Sequence, residues 1–331
     1  MTGIDRLREF RRGAEWAIAA ATALELGLVD ALADGPVSPD DLATRLSLDP
    51  RGTSALLGVL EGLGAARRDP EGWRLTGPAR ARLVDPDTPD FEGESLRHWL
   101  RTVRRWAADL PDAVRRGHGP ERPGPGQGAG GREDLAAFMA AMANRSPAMV
   151  EAVADRIFAV APGARTLLDV GGGPGAYARG LAERGLRITL FDRPEVIALV
   201  SEAYGLADAP GISLAGGDFL ESLPEGPYDV VLLANVTHIY GPAENEGLVR
   251  RAASRLAPGG TLAVLDFVRG ESEFAPLFAL TMLLSTEGGG TWSRADYAAW
   301  MEAAGLTGVR CGSVGPDAQL VTAHRAEGRA S

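Results

Sequence analysis

The apolar positions change their period partway along the chain. In the N-terminal part they recur at helical spacing: Trp16, Ala20, Ala23, Leu24, Leu28 and Leu32, then Leu56, Leu57, Leu60 and Leu63. Such stripes predict helices that bury one face. The stretch Ala14–Leu32 reads as an amphipathic or buried helix. Ser38-Pro39-Asp40-Asp41-Leu42 is a helix start: Ser38 can cap free amides, Pro39 suits the first turn, and Asp41 sits at the third position. A helix over residues 50–63 should follow, its four leucines inward. Ala65–Arg68, Asp69–Gly72 and Trp73–Thr76 then predict strand, turn and strand. Helices followed by such a hairpin are the winged-helix arrangement.

Residues 117–132 are rich in glycine and proline and predict a flexible loop. A helix restarting near Glu133 carries Phe138, Met139 and Met142, which suit core packing or an apolar substrate wall. From Arg165 the pattern becomes apolar runs, most of them separated by helices: Thr166–Val170, Arg187–Phe191, Ile212–Leu214, Asp229–Leu233 and Thr261–Phe267. That alternation predicts a doubly wound α/β fold with a parallel sheet. A last helix, Ser293–Ala304, precedes candidate strands Val309–Val314 and Gln319–Ala323. The expected division is a winged-helix-like part over 1–90, a helical linker and pocket segment over 91–158, and an α/β domain over 159–331.

Composition narrows the class. The chain has 331 residues, 45% hydrophobic and 24% charged, enough for a sizeable core and suggestive of more than one domain. The formal net charge of −10 argues against a nucleic-acid partner. Residues 50–63, which would be the recognition helix of a DNA-binding protein, offer Arg51, Thr53 and Ser54 before turning to small and apolar residues. Packing or dimerisation is the better reading of that part. The single cysteine, Cys311, excludes an internal disulfide or a multi-cysteine metal cluster and fits a reducing cytoplasm. No signal peptide or membrane span is expected, because Glu15, Glu25 and Asp30 break the N-terminal apolar stretch.

The chemistry begins at Asp169-Val170-Gly171-Gly172-Gly173-Pro174-Gly175. An apolar strand ends there, and glycines let bare backbone approach a ligand. Gly171, Gly173 and Gly175 make G-x-G-x-G, yet Gly171, Gly173 and Ala176 also satisfy the dinucleotide pattern. The glycines alone therefore leave two cofactors open. Asp169, within the strand end, can orient the loop and face the ammonium of a methionyl group. Asp192 closes the next strand, where a carboxylate can accept from both ribose hydroxyls of either cofactor. Gly217-Asp218-Phe219 follows the third strand: Asp218 can accept from an adenine amino group, and Phe219 can pack on the base. This third element favours S-adenosylmethionine.

Those stretches, with Phe191–Val196, Asn235-Val236-Thr237-His238 and Pro258-Gly259-Gly260, resemble the small-molecule O-methyltransferase family that includes the caffeic acid and acetylserotonin enzymes and bacterial antibiotic-tailoring enzymes. The resemblance covers nearly the whole chain. It implies a seven-stranded sheet, an N-terminal part that forms a homodimer, and methyl transfer to a hydroxyl of a small aromatic acceptor. His238 becomes the candidate general base, since imidazole titrates near working pH. Asn235 stands nearby for orientation, and Phe138, Met142, Met282 and Trp292 are candidate pocket walls. Two departures from the family pattern are visible. Ile239 stands where plant members carry an acid directly after this histidine, and Thr291 where they carry the glutamate that orients it. Glu287, Asp266 or another acid can replace the missing one. These gaps keep two rivals alive: C- or N-methylation, and a cofactor-binding relative with another reaction. No His/Asp/Glu cluster has metal-ligand spacing, so no metal is expected.

Overall fold

A computed structural model of the protein describes residues 6–86, 88, 91–120, 131–143 and 146–327. The chain divides into two units, residues 1–104 and 105–331. The first contains α1 (Leu7–Glu25), α2 (Leu28–Ala33), α3 (Pro39–Leu46), α4 (Pro50–Gly62), β1 (Ala66–Asp69), β2 (Gly72–Leu75) and α5 (Gly77–Leu83); the division falls inside α6 (Gly93–Arg116). Side-chain caps fix the helix starts: Ser38 Oγ accepts from the Asp41 amide at 3.1 Å, and Asp49 Oδ1 from the Gly52 amide at 3.0 Å. The hairpin is antiparallel, with Asp69 opposite Gly72. Leu24, Leu28, Leu32, Leu42, Leu57, Leu60 and Trp73 form its core.

Three expectations here are corrected. The stretch 14–32 is not one helix, because the chain turns at Gly27 in the left-handed region (φ 76°). Trp16 is not fully inside but 37% exposed, its ring lying over Gly62 at the end of α4. Leu63 is 46% exposed, because it lies just past α4.

The second unit continues through α7 (Gly131–Ala143), α8 (Pro147–Val160), β3 (Thr166–Val170), α9 (Ala176–Glu183), β4 (Arg187–Asp192), α10 (Pro194–Ala203), β5 (Ile212–Gly216) and β6 (Tyr228–Ala234). A 3-10 turn (Thr237–Ile239) follows, then α11 (Pro242–Ser254), β7 (Leu256–Asp266), α12 (Ala275–Ser285), α13 (Arg294–Ala303), β8 (Leu306–Ser313) and β9 (Gln319–Arg325). Of the loop expected over 117–132, residues 121–130 lie outside the described residues, and α7 already begins at Gly131.

The seven strands run in the order β5-β4-β3-β6-β7-β9-β8. The first five are parallel; β9 runs antiparallel to both β7 and β8. This is the expected α/β sheet, and its strand order reverses between β3 and β6, the position outside whose carboxyl ends sheets of this kind bind ligands. Alternation divides the side chains between two cores. Leu167, Leu190, Leu232 and Leu265 pack with α8, α9 and α10, whereas Leu168, Val231, Leu262 and Val264 pack with α11 and α13. By the same parity Asp169 and Asp192 belong to the first face, and Asp266 to the second.

Candidate active site

The β3 carboxyl end turns through glycines with φ of 70°, 49° and 78° at 171, 173 and 175. Space is as restrictive as conformation. A Cβ on Gly172 would stand 2.7 Å from both Asp169 Oδ2 and Leu190 Cγ, and one on Gly171 would stand 2.6 Å from Val236 Cγ2. Two hydrogen bonds latch the loop to the end of β4. The Gly171 amide donates to Phe191 O at 2.7 Å, and the Gly173 amide donates to Asp192 Oδ2 at 2.9 Å. Met139 of α7 lies beyond Gly173, its sulfur 3.7 Å from where a Cβ would be.

Asp169 is 1% exposed beneath this loop, and its Oδ1 has no hydrogen-bond partner. Burial, with Asp192 nearby, pushes its carboxyl up to about 7. A buried acceptor left without a donor is costly, and the cost disappears if a ligand brings one. Asp192 is also buried; its Oδ1 accepts from the Arg193 amide at 2.7 Å. Burial raises this carboxyl too, against the lowering effect of the Arg193 and Gly173 amides. Phe219 is buried beside Gly171, and Tyr240 meets it edge-on at 5.8 Å between ring centroids. Asp218 is exposed; its Oδ1 accepts from the Leu220 amide at 2.7 Å. Burial, then Asp218, pushes the Tyr240 hydroxyl up to about 12, so it stays a donor.

A second cluster forms where β6 and β7 end. Asn235 takes the left-handed conformation (φ 57°), tolerable for asparagine, and directs the chain into the 3-10 turn. Its amide donates to Leu265 O at 2.8 Å. His238, in that turn, places Nδ1 2.8 Å from Asp266 Oδ1. The same carboxylate accepts from the amides of Phe267 (2.9 Å) and His238 (3.2 Å) and from Thr237 Oγ1 (2.6 Å). Burial alone would raise Asp266; the His238 imidazole, the Thr237 hydroxyl and the Phe267 amide outweigh it and hold the group below its ordinary value. An ionised acceptor on Nδ1 assigns the ring hydrogen to Nδ1 and leaves Nε2 with a lone pair. Phe278 of α12 packs edge-on to the ring at 4.8 Å and belongs with Phe267 and Phe274 to an aromatic group.

The predicted residues therefore fall into groups. Asp169, Gly171, Gly173, Gly175, Asp192 and Phe219 meet around the loop, with Asp218 on the exposed side. Asn235 and His238 meet at the next strand ends. Trp292 braces that segment: its indole N–H donates to Thr237 O at 2.9 Å. Met282 is buried on α12, one turn after Phe278. Phe138 packs against the α8–α10 side of the sheet, and Met142 is half-buried on the same helix. Neither belongs to the hydrogen-bonded cluster at His238. Thr237 and Tyr297 belong to that cluster and Tyr240 to the group at Phe219, none of them revealed by spacing, and Thr291 hydrogen-bonds Ala275 O at 3.4 Å instead of serving the histidine. Among the described residues no group of three or more His, Cys, Asp or Glu is arranged to hold a metal, and no helix is long and apolar enough to cross a membrane.

A family model for an O-methyltransferase domain matches residues 126–307, more than half of the chain, and one for an O-methyltransferase dimerisation domain matches 17–85. The chain is 31% identical over 313 residues to the tetracenomycin polyketide synthesis 8-O-methyl transferase TcmO of Streptomyces glaucescens, covering 90% of each. It is 31% identical to mouse acetylserotonin O-methyltransferase, covering 86% of this chain and 79% of that one. The crystal structure of human N-acetylserotonin methyltransferase in complex with SAM shares the fold, with a TM-score of 0.81 at 23% identity, over 98% of this chain and 99% of the other.

Proposed function

The chain belongs to the O-methyltransferase family, and from that premise we propose that it methylates a hydroxyl of a small aromatic natural product, using S-adenosylmethionine and His238 as general base. The observation that carries the proposal is the His238–Asp266 pair at the strand ends next to the glycine loop. TcmO, by its name an 8-O-methyl transferase of tetracenomycin polyketide synthesis, supports transfer to oxygen of a natural product.

The residues present fit the cofactor. The unpartnered Asp169 Oδ1 suits an ammonium donor, the glycine loop turns bare backbone back over the strand end, and Asp192 keeps free lone pairs for ribose hydroxyls. Phe219, Tyr240 and Asp218 suit an adenine. S-adenosylmethionine supplies a sulfonium methyl group open to attack by oxygen. His238 Nε2 would take the acceptor's hydroxyl proton as that oxygen gains the methyl group, the sulfonium losing it as a neutral thioether. Asp266 stabilises the resulting imidazolium and holds the ring in one tautomer. Phe278, Phe267 and Phe274 offer an apolar, aromatic surface beside the base for a flat acceptor. The dimerisation-domain match supports a homodimer formed through the N-terminal part.

The test is a screen of phenols with trideuteromethyl-labelled cofactor, read by mass spectrometry. A phenol should gain the label as S-adenosylhomocysteine accumulates. His238→Ala should lower the rate about 10²–10⁴-fold, more for weakly acidic phenols. A rate loss independent of phenol acidity would remove the base role; turnover of a compound without S-adenosylhomocysteine would remove methyl transfer.

A further inference from the structure

The acid beside His238 does not stand alone. Thr237 Oγ1 is 2.6 Å from Asp266 Oδ2 and 2.7 Å from the hydroxyl of Tyr297 on α13. Thr237 has one hydroxyl hydrogen, and the ionised carboxylate can only accept. The hydrogen therefore points to Asp266, and Tyr297 must donate to Thr237. The direction is continuous: Tyr297 O–H to Thr237 Oγ1, Thr237 O–H to Asp266 Oδ2, His238 Nδ1–H to Asp266 Oδ1. Tyr297 is 0% exposed and packs edge-on against Trp300 in an apolar core. A phenylalanine would fill that space without burying a hydroxyl, so the oxygen needs a role. Thr237 is held in place as well. Its carbonyl accepts from Asn245 Nδ2 of α11 and from the Trp292 indole, each at 2.9 Å.

We infer that Tyr297 and Thr237 are positioning residues for His238, acting through Asp266. They rest on the base reading only for their catalytic meaning; the network exists whether or not His238 takes a proton from substrate. Asp266 receives two donors on each oxygen, so it can neither rotate nor draw the Nδ1 proton fully to itself. Its charge is spread over four hydrogen bonds, which moderates its pull on the imidazolium. Removing the outer donors concentrates that charge and makes the protonated ring more favourable. The titratable groups around this network are Asp266 and His238 themselves, with Cys311 of β8 and Asp296 of α13 acting on Tyr297; Asp296 is paired with Arg269 at 3.0 Å.

The experiment is a pH titration of the imidazole nitrogens by NMR on the full, unliganded chain. The sequence has four histidines, so His238→Gln assigns the signal. Wild type should show the Nδ1–H tautomer. Thr237→Val should raise the ring's titration midpoint by about half a unit to one unit, and Tyr297→Phe should move it the same way by less. Thr237→Ser should restore the wild-type curve. Wild-type titration and tautomer in both Thr237→Val and Tyr297→Phe, with normal melting, would overturn the inference. Should Thr237→Val not fold, Tyr297→Phe, which deletes one oxygen, decides alone. The base reading fails separately: full methyl transfer by His238→Ala removes it, while a shifted ring titration in Tyr297→Phe would still uphold the network.

Discussion

At the residue scale, two buried carboxylates carry opposite perturbations. Asp266 is lowered because donors surround it, while Asp169 is raised because burial and Asp192 outweigh anything that helps its charge. For Asp169 the folded value, about 7, lies above the ordinary 3.8. The folded state therefore holds a proton that the unfolded chain releases. The associated stability is fully present below the ordinary value and is lost as pH rises toward 7. Asp169→Asn, a near-isostere without charge, should remove that loss. We expect it to melt higher than wild type at about pH 8, with little difference at about pH 4, the gap being on the order of 2–4 kcal/mol. The same variant should bind S-adenosylmethionine about 30- to 100-fold more weakly, through loss of a charged hydrogen bond. Calorimetry with and without cofactor checks both; tighter binding by the variant would refute the ammonium role. Asp266→Asn should lower kcat about 100-fold or more with little change in KM, since a half-donating amide cannot accept from Nδ1–H, Thr237 and two backbone amides together. Steady-state kinetics on a phenol identified by the screen reads that split.

At the element scale, the sequence located strands better than it bounded them. The runs opening at Thr166 and Arg187 are apolar enough to be legible, and both begin there in the structure. The strand expected from Thr261 begins instead at Leu256 and runs through Pro258-Gly259-Gly260, where proline and glycine mask the strand pattern. Leu256 nevertheless pairs with Tyr228, and a register shift absorbs the irregular residues. The glycine loop after β3 was legible as a turn, but not the reason for its middle glycine. Gly172 is needed for space, with Asp169 and Leu190 pressing on it. Gly172→Ala should leave the fold intact at a cost of about 1–3 kcal/mol. It should weaken cofactor binding by displacing the carboxylate beneath. Thermal melting and equilibrium dialysis against S-adenosylhomocysteine report the two effects; unchanged affinity would show that the loop has slack.

At the scale of the whole molecule, the N-terminal unit leaves apolar side chains uncovered on one helix. Leu7, Phe10, Trp16 and Ile18 of α1 are each more than a third exposed. A homodimer formed through this part would cover them. Sedimentation should give the mass of two chains for wild type, and Leu7→Glu combined with Phe10→Glu should shift the equilibrium toward one. A wild-type monomer at all concentrations would refute the dimer. The helical start of this unit was legible because caps and leucine stripes are local. The break at Gly27 was not, since the stripe continues through it on both sides.

Features that neighbouring residues build together are written in the chain. A glycine run after an apolar strand, and acids at or just beyond later strand ends, identify a nucleotide-binding edge because strand, turn and edge are contiguous in the chain. The sequence leaves Glu287, Asp266 or another acid open as the partner of His238. Only the tertiary structure chose Asp266, 28 residues away, by setting β7 beside β6 and by the strand parity that turns its side chain toward α13. The same packing brought Tyr297 to Thr237 across 60 residues. Hydrogen bonds of that kind depend on which strands become neighbours and which face each residue takes, and no local pattern encodes either.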